Sequence, residues 1–195
     1  GKYLEQLEAF DQMGLFKKSP STKKLRKLVD PYDKKKSLTG RARAYLHVNC
    51  GHCHRRGGGG TAAFDVRHEF PLKRTLLLDQ RPTQGTFGIH SAKTIVSGDP
   101  TSSVLLYRMM KLGRGRIPHF GSEVVDQRGV DLMYRWIKSL DGKNRRISTL
   151  NSRLFSVMQI ESKNRGSAIR KVLSSTNDSI HLAYVLSMLP QANTF

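Results

Sequence analysis

The sequence is poor in cysteine, in tryptophan and in negative charge. Its 195 residues include two cysteines, one tryptophan and 15 Asp and Glu against 34 Lys and Arg. Two cysteines three positions apart exclude a disulfide framework and direct attention to chemistry at one place. No run approaches the ~20 apolar residues needed to span a bilayer. The chain opens Gly1-Lys2-Tyr3, with neither an initiating Met nor a signal peptide. It is therefore expected to be a mature product or a piece of something longer. Hydrophobic residues make up 37% of the chain, within the globular range, so a real core can form.

The formal charge of +19 predicts attraction to an acidic partner, with encounter fastest at low salt. The basic residues are spread along the chain, as in Lys17-Lys18, Lys34-Lys35-Lys36, Arg55-Arg56 and Arg145-Arg146. No nucleic-acid-binding motif accompanies them, so solvated charge is the expected explanation and nucleic acid is not the expected partner.

The pattern predicts three parts. Residues 1–37 hold a short amphipathic segment (Tyr3-Leu4, Leu7, Phe10) ending near Gly14, then a basic, Pro-containing extended strap. Residues 38–146 form the main domain. A helix is predicted over about 38–49, capped by Ser37 or Thr39, with Ala42, Tyr45 and Val48 at helical spacing. Four consecutive glycines within 55–60 exclude regular structure there, and 64–94 reads as loop with a small β hairpin around 63–66 and 94–96. Asp99-Pro100 starts a helix expected over about 102–111, and Asp126 caps another that runs to about Leu140. Residues 147–195 read as a C-terminal helical appendage. One helix carries Leu154, Val157 and Met158, another Ile169, Val172 and Leu173, with the polar run 161–166 between them. The expected fold is mostly α.

The informative motif is Cys50-Gly51-His52-Cys53-His54. In a Cys-x-x-Cys-His pentapeptide both thiols can add across the vinyl groups of a haem, and the adjacent His supplies the proximal iron nitrogen. Cys-Gly-His-Cys is also a dithiol redox tetrad, but that chemistry needs a low-pKa Cys at a helix N-terminus in a βαβ context. Here the motif follows a helix and enters a glycine loop. Structural zinc would need a further His pair, and His68, His90, His119 and His181 are isolated. In small cytochromes c the helix that leads into such a motif crosses a later helix, and likeness to them implies that Ala44, Tyr45 and Val48 cross Gly129, Met133, Trp136 and Ile137 of the helix begun at Asp126. Gly129 would permit close approach of the two backbones. On this reading Tyr45, Trp136 and Pro118 belong to the haem pocket.

From about 38 to 140 the sequence resembles the cytochrome c-like domains of large secreted planctomycete-type and related bacterial proteins. The resemblance is carried by Ala42-Arg43-Ala44-Tyr45-Leu46, Asn49-Cys50-Gly51-His52-Cys53-His54, Gly85-Thr86-Phe87-Gly88-Ile89, Gly98-Asp99-Pro100, the stretch from Ser103 to Met109, and Gly121-Ser122 with Val124-Val125-Asp126. It implies one covalent haem c, an extracytoplasmic location such as the periplasm, and single-electron transfer to a redox partner with an acidic surface. Relatives of this type read Arg-Met-Pro before Gly-Ser, and that Met binds the distal iron face. This chain has Arg116-Ile117-Pro118-His119-Phe120-Gly121-Ser122, and Ile117 cannot coordinate iron. His119 is the candidate distal ligand, whereas Met109 and Met110 read as core. An open distal site would instead imply small-ligand binding, sensing or weak peroxidase chemistry.

Overall fold

The computed structural model describes residues 6–19, 27–140 and 162–188. Six helices are present among them, with no strand. They are α1 (Gln6–Gln12), α2 (Leu38–Cys50), α3 (Val104–Met110), α4 (Gln127–Ser139), α5 (Ser162–Leu173) and α6 (Thr176–Met188), with 3-10 turns at Leu72–Arg74 and Pro100–Ser102. None of these helices is long and apolar enough to cross a membrane.

Local chemistry explains where the main helices begin. The Ser37 hydroxyl accepts from the Gly40 amide at 3.2 Å and starts α2. The Asp99 carboxylate accepts from the Thr101 and Ser102 amides and from both hydroxyls, closing the Pro100–Ser102 turn. That turn delays the α-helical hydrogen bonds of α3 until Val104. Asp126 accepts from the Gly129 amide at 3.0 Å and starts α4.

Packing joins α2 and α4. Gly129 lies so close to Tyr45 that a Cβ placed there would stand 2.3 Å from the Tyr45 hydroxyl. The Tyr45 hydroxyl donates to Asp126 at 3.0 Å, so the carboxylate that caps α4 also ties it to α2. Around this crossing Leu46, Leu106, Met133, Trp136 and Ile137 are fully buried, together with Val66, Leu77 and Ile95 from the long connection. The basic strap is pinned to the same corner. The Tyr32 hydroxyl donates to Asp126 at 3.0 Å, and the Arg128 guanidinium sits 3.9 Å from the Tyr32 ring centroid.

Two expectations need correction. The hairpin around 63–66 and 94–96 does not form; isolated bridges, such as Leu78 with Ile95, are what this region contains. Leu76, Asp79, Phe87 and Ser91 adopt left-handed backbone conformations, turning the chain before a ladder can extend. Within the run 161–166, expected as a linker, Ser162 onward already belongs to α5. The helix expected around Leu154, Val157 and Met158 lies outside the described residues.

α6 docks on the main domain. The Asn177 amide nitrogen donates to the Thr101 carbonyl and the Ser102 hydroxyl, each at 3.0 Å, and its oxygen accepts from the His90 amide at 3.0 Å. Tyr184 stacks on Tyr134 of α4 with centroids 3.6 Å apart, and buried His181 hydrogen-bonds the Tyr134 hydroxyl at 3.0 Å.

Candidate functional site

Cys50 is the last residue of α2, and the chain keeps curling after it. The amides of Cys53 and His54 donate to the Cys50 carbonyl at 3.2 and 2.8 Å. This turn places Cys50, Cys53 and His54 on the wall of one cleft of about 860 Å³, within the range of ordinary ligand sites.

The glycine run shapes the proximal wall. The Gly60 amide donates to the Cys53 carbonyl at 3.0 Å, folding the loop back onto the motif. A Cβ at Gly60 would stand 2.7 Å from Nδ1 of His54, so this position has no room for a side chain. Phe64 stacks on the His54 ring at 4.3 Å between centroids, and the Val66 amide donates to the His54 carbonyl at 3.1 Å. A two-pronged ion pair from Arg67 to Asp65 braces the returning chain and holds the Asp65 carboxyl down at about 2.

Burial acts on two of the motif side chains, Cys50 and His54. Burial, with Cys53 adding to it, pushes the Cys50 thiol up to about 12, opposite to the shift an activated redox thiolate requires. Burial pushes His54 down, against an opposing contribution from the Ala62 backbone, which favours the neutral imidazole that binds metals. Its buried Nδ1 finds no hydrogen-bond partner of good geometry among the described residues. Among the described residues no group of three or more His, Cys, Asp and Glu converges as ligands of a common ion would. A haem would need one protein nitrogen and two thiols on a common cleft, and Cys50, Cys53 and His54 line one.

The loop before α4 lines the same cleft. Ile117, Pro118, His119 and Phe120 line the cleft together with Val104, Leu105 and Arg108 of α3 and with Phe87, Pro82 and Gln84. The Ile117 amide donates to the Arg108 carbonyl at 3.1 Å, and the Ser122 hydroxyl donates to the Pro118 carbonyl at 2.5 Å, fixing the loop at two points. His119 lines the cleft and is exposed.

Of the residues predicted for the site, Cys50, Cys53, His54, Pro118 and His119 meet at the cleft. Tyr45 and Trp136 do not line it. Tyr45 is turned to Asp126, and Trp136 is wholly buried in the helix crossing behind the cleft wall. Met109 packs in the core, and Met110 against the small cluster of Ile89, Val104 and Ile180. Sequence reasoning missed Gly60, Phe64, Phe87 and Arg108. The glycine run was a visible signal, but nothing in their spacing assigns the other three to a common cleft. Comparison with protein-family models, curated proteins and solved structures finds no match to this chain.

Proposed function

We propose that this chain is a mono-haem c-type cytochrome domain that relays single electrons, as a module of a larger extracytoplasmic redox protein or towards an acidic redox partner. The observation that carries this reading is the Cys-x-x-Cys-His turn on the wall of a ligand-sized cleft, with His54 stacked on Phe64. Cys50 and Cys53 would tether the haem and His54 would ligate its iron. When bound, the haem supplies a one-electron couple, and the protein tunes it through axial ligation, burial and nearby charge. The chain's own part is to shape the site. Gly60 and Phe64 pack against the imidazole, while Val104, Leu105 and Ile117 present apolar surface to the cleft.

A specific observation also favours a second reading. Ile117 occupies the place where relatives of the resembled type carry Met, and His119 is exposed rather than locked in place. An open distal face would suit small-ligand binding, sensing or weak peroxidase activity.

One preparation tests both. Protein matured by a periplasmic cytochrome c system should keep haem through denaturing electrophoresis, and Cys50→Ala/Cys53→Ala should lose it. Wild-type protein without covalent haem would overturn the proposal. A low-spin ferric spectrum that turns high-spin in His119→Ala assigns the distal ligand. A wild-type spectrum that is high-spin and shifts with cyanide supports the ligand-binding reading.

A further inference from the structure

α4 and α6 meet through two pairs of residues that exchange hydroxyl contacts. Asp131 and Tyr134 stand three positions apart on α4, and His181 and Tyr184 three apart on α6, so each pair shares a helix face. The Tyr134 hydroxyl lies 3.0 Å from Nδ1 of His181, and the Tyr184 hydroxyl donates to the Asp131 carboxylate at 3.0 Å. Each phenol therefore has a base from the opposite helix within proton-transfer distance. Nε of Arg135 donates to the same Asp131 oxygen at 2.9 Å and fixes that carboxylate. The two phenol rings lie face to face, 5° from parallel with centroids 3.6 Å apart. Ring quadrupoles favour offset or edge-on pairs over such a sandwich. An electron hole, by contrast, is stabilised when two overlapping π systems share it.

Burial sorts the four groups. Tyr134 is 4% and His181 1% exposed, whereas Tyr184 is half-buried. Burial pushes the Tyr184 phenol up to about 12 and pushes Tyr134 up as well, so neither gives up its proton while reduced. Burial also pushes His181 down, which leaves its imidazole neutral at neutral pH and able to accept a proton. Loss of one electron turns a phenol into a strong acid, and at both hydroxyls an acceptor is already in place.

We propose that Tyr134 and Tyr184 form a proton-coupled one-electron redox site, separate from the Cys50–His54 cleft, that takes up oxidising equivalents from small radicals. The radical gains one electron from half-buried Tyr184 and leaves as its anion, while the phenolic proton moves to Asp131. An electron then passes from Tyr134 to Tyr184 across the stack. Asp131 returns the proton to Tyr184, and the Tyr134 proton moves to Nδ1 of His181. The oxidising equivalent ends as a neutral Tyr134 phenoxyl beside a protonated His181, until a one-electron reductant restores the phenol and the proton goes back to it.

Azide radicals generated by pulse radiolysis provide the test. The full chain serves with or without haem, so success or failure here is independent of the haem reading. Transient absorption should show a long-lived phenoxyl in wild type. Electron–nuclear double resonance on the trapped radical should show an exchangeable proton hydrogen-bonded to its oxygen, replaced by a deuteron in D2O. Tyr134→Phe keeps the stacked ring and should lose the long-lived species, leaving the short-lived radicals of exposed tyrosines. His181→Gln still offers Tyr134 a hydrogen-bond acceptor but no base, and should lose it as well. A phenoxyl as long-lived in Tyr134→Phe as in wild type would overturn the proposal. Unchanged lifetime in His181→Gln would reduce the contact to a structural hydrogen bond and overturn it too. Should the variants fail to fold, wild type decides alone: a phenoxyl that decays as fast as that of free tyrosine, or that carries no exchangeable proton at its oxygen, sinks the idea.

Discussion

Gly129 and Gly166 are both helical glycines, yet their surroundings give opposite expectations. A Cβ at Gly129 would meet the Tyr45 hydroxyl at 2.3 Å and an Asp126 carboxylate oxygen at 2.6 Å, whereas one at Gly166 meets nothing within 4 Å. Gly129→Ala should destabilise the protein by about 1–3 kcal/mol, because the α2–α4 contact must open and the shared carboxylate must move. Gly166→Ala should be neutral or stabilising by ~1 kcal/mol through helix propensity. Urea denaturation of the two variants measures both, and equal midpoints would contradict the close-approach account. Gly60 belongs with Gly129: its missing side chain is what lets the loop lie against His54.

At the scale of elements, α6 is held by polar contacts as much as by apolar ones. Its own His181 is 1% exposed, hydrogen-bonded to Tyr134 and within reach of the charges of Lys138, Asp178 and Asp99. Burial, reinforced by Lys138, pushes its pKa down, while the two aspartates act the other way. A depressed folded-state pKa means that the unfolded chain binds the proton more readily. The contribution of neutral His181 is therefore fully present above its unfolded value of about 6.5 and is lost as pH falls through the folded value. The urea midpoint should drop between about pH 7 and pH 5, and His181→Gln, which cannot titrate, should flatten that drop. Parallel profiles for the two proteins would remove His181 from the explanation.

At the scale of the whole molecule, net charge governs encounter. A chain of +19 should collect a negatively charged reaction partner rapidly when few ions screen it. For haem-loaded protein, the bimolecular rate of oxidation by ferricyanide should fall steeply as ionic strength rises from about 0.01 M to 0.5 M, as the Debye length shrinks from ~30 Å to a few Å. A cationic oxidant should show the reverse dependence. A rate with ferricyanide that ignores salt would mean that the charge is remote from the haem edge.

Features that depend on neighbours in the chain were legible in the sequence alone. The Cys50–His54 pentapeptide, the mostly helical character and the caps at Ser37, Asp99 and Asp126 follow from local spacing, because hydrogen bonds to the first turn and helical periodicity involve residues only a few positions apart. The tertiary structure decided what stands around them. It brought Phe64 and Gly60 against His54, set Arg108 and Ile117 on the same cleft, turned Tyr45 away to Asp126 and docked α6 through Asn177 and His181. Those contacts join residues distant in sequence, or depend on the backbone turning at Leu76, Asp79, Phe87 and Ser91 where composition suggested a hairpin. A short-range pattern can specify a turn or a cap; which side chains share a cleft is set by packing the whole core at once.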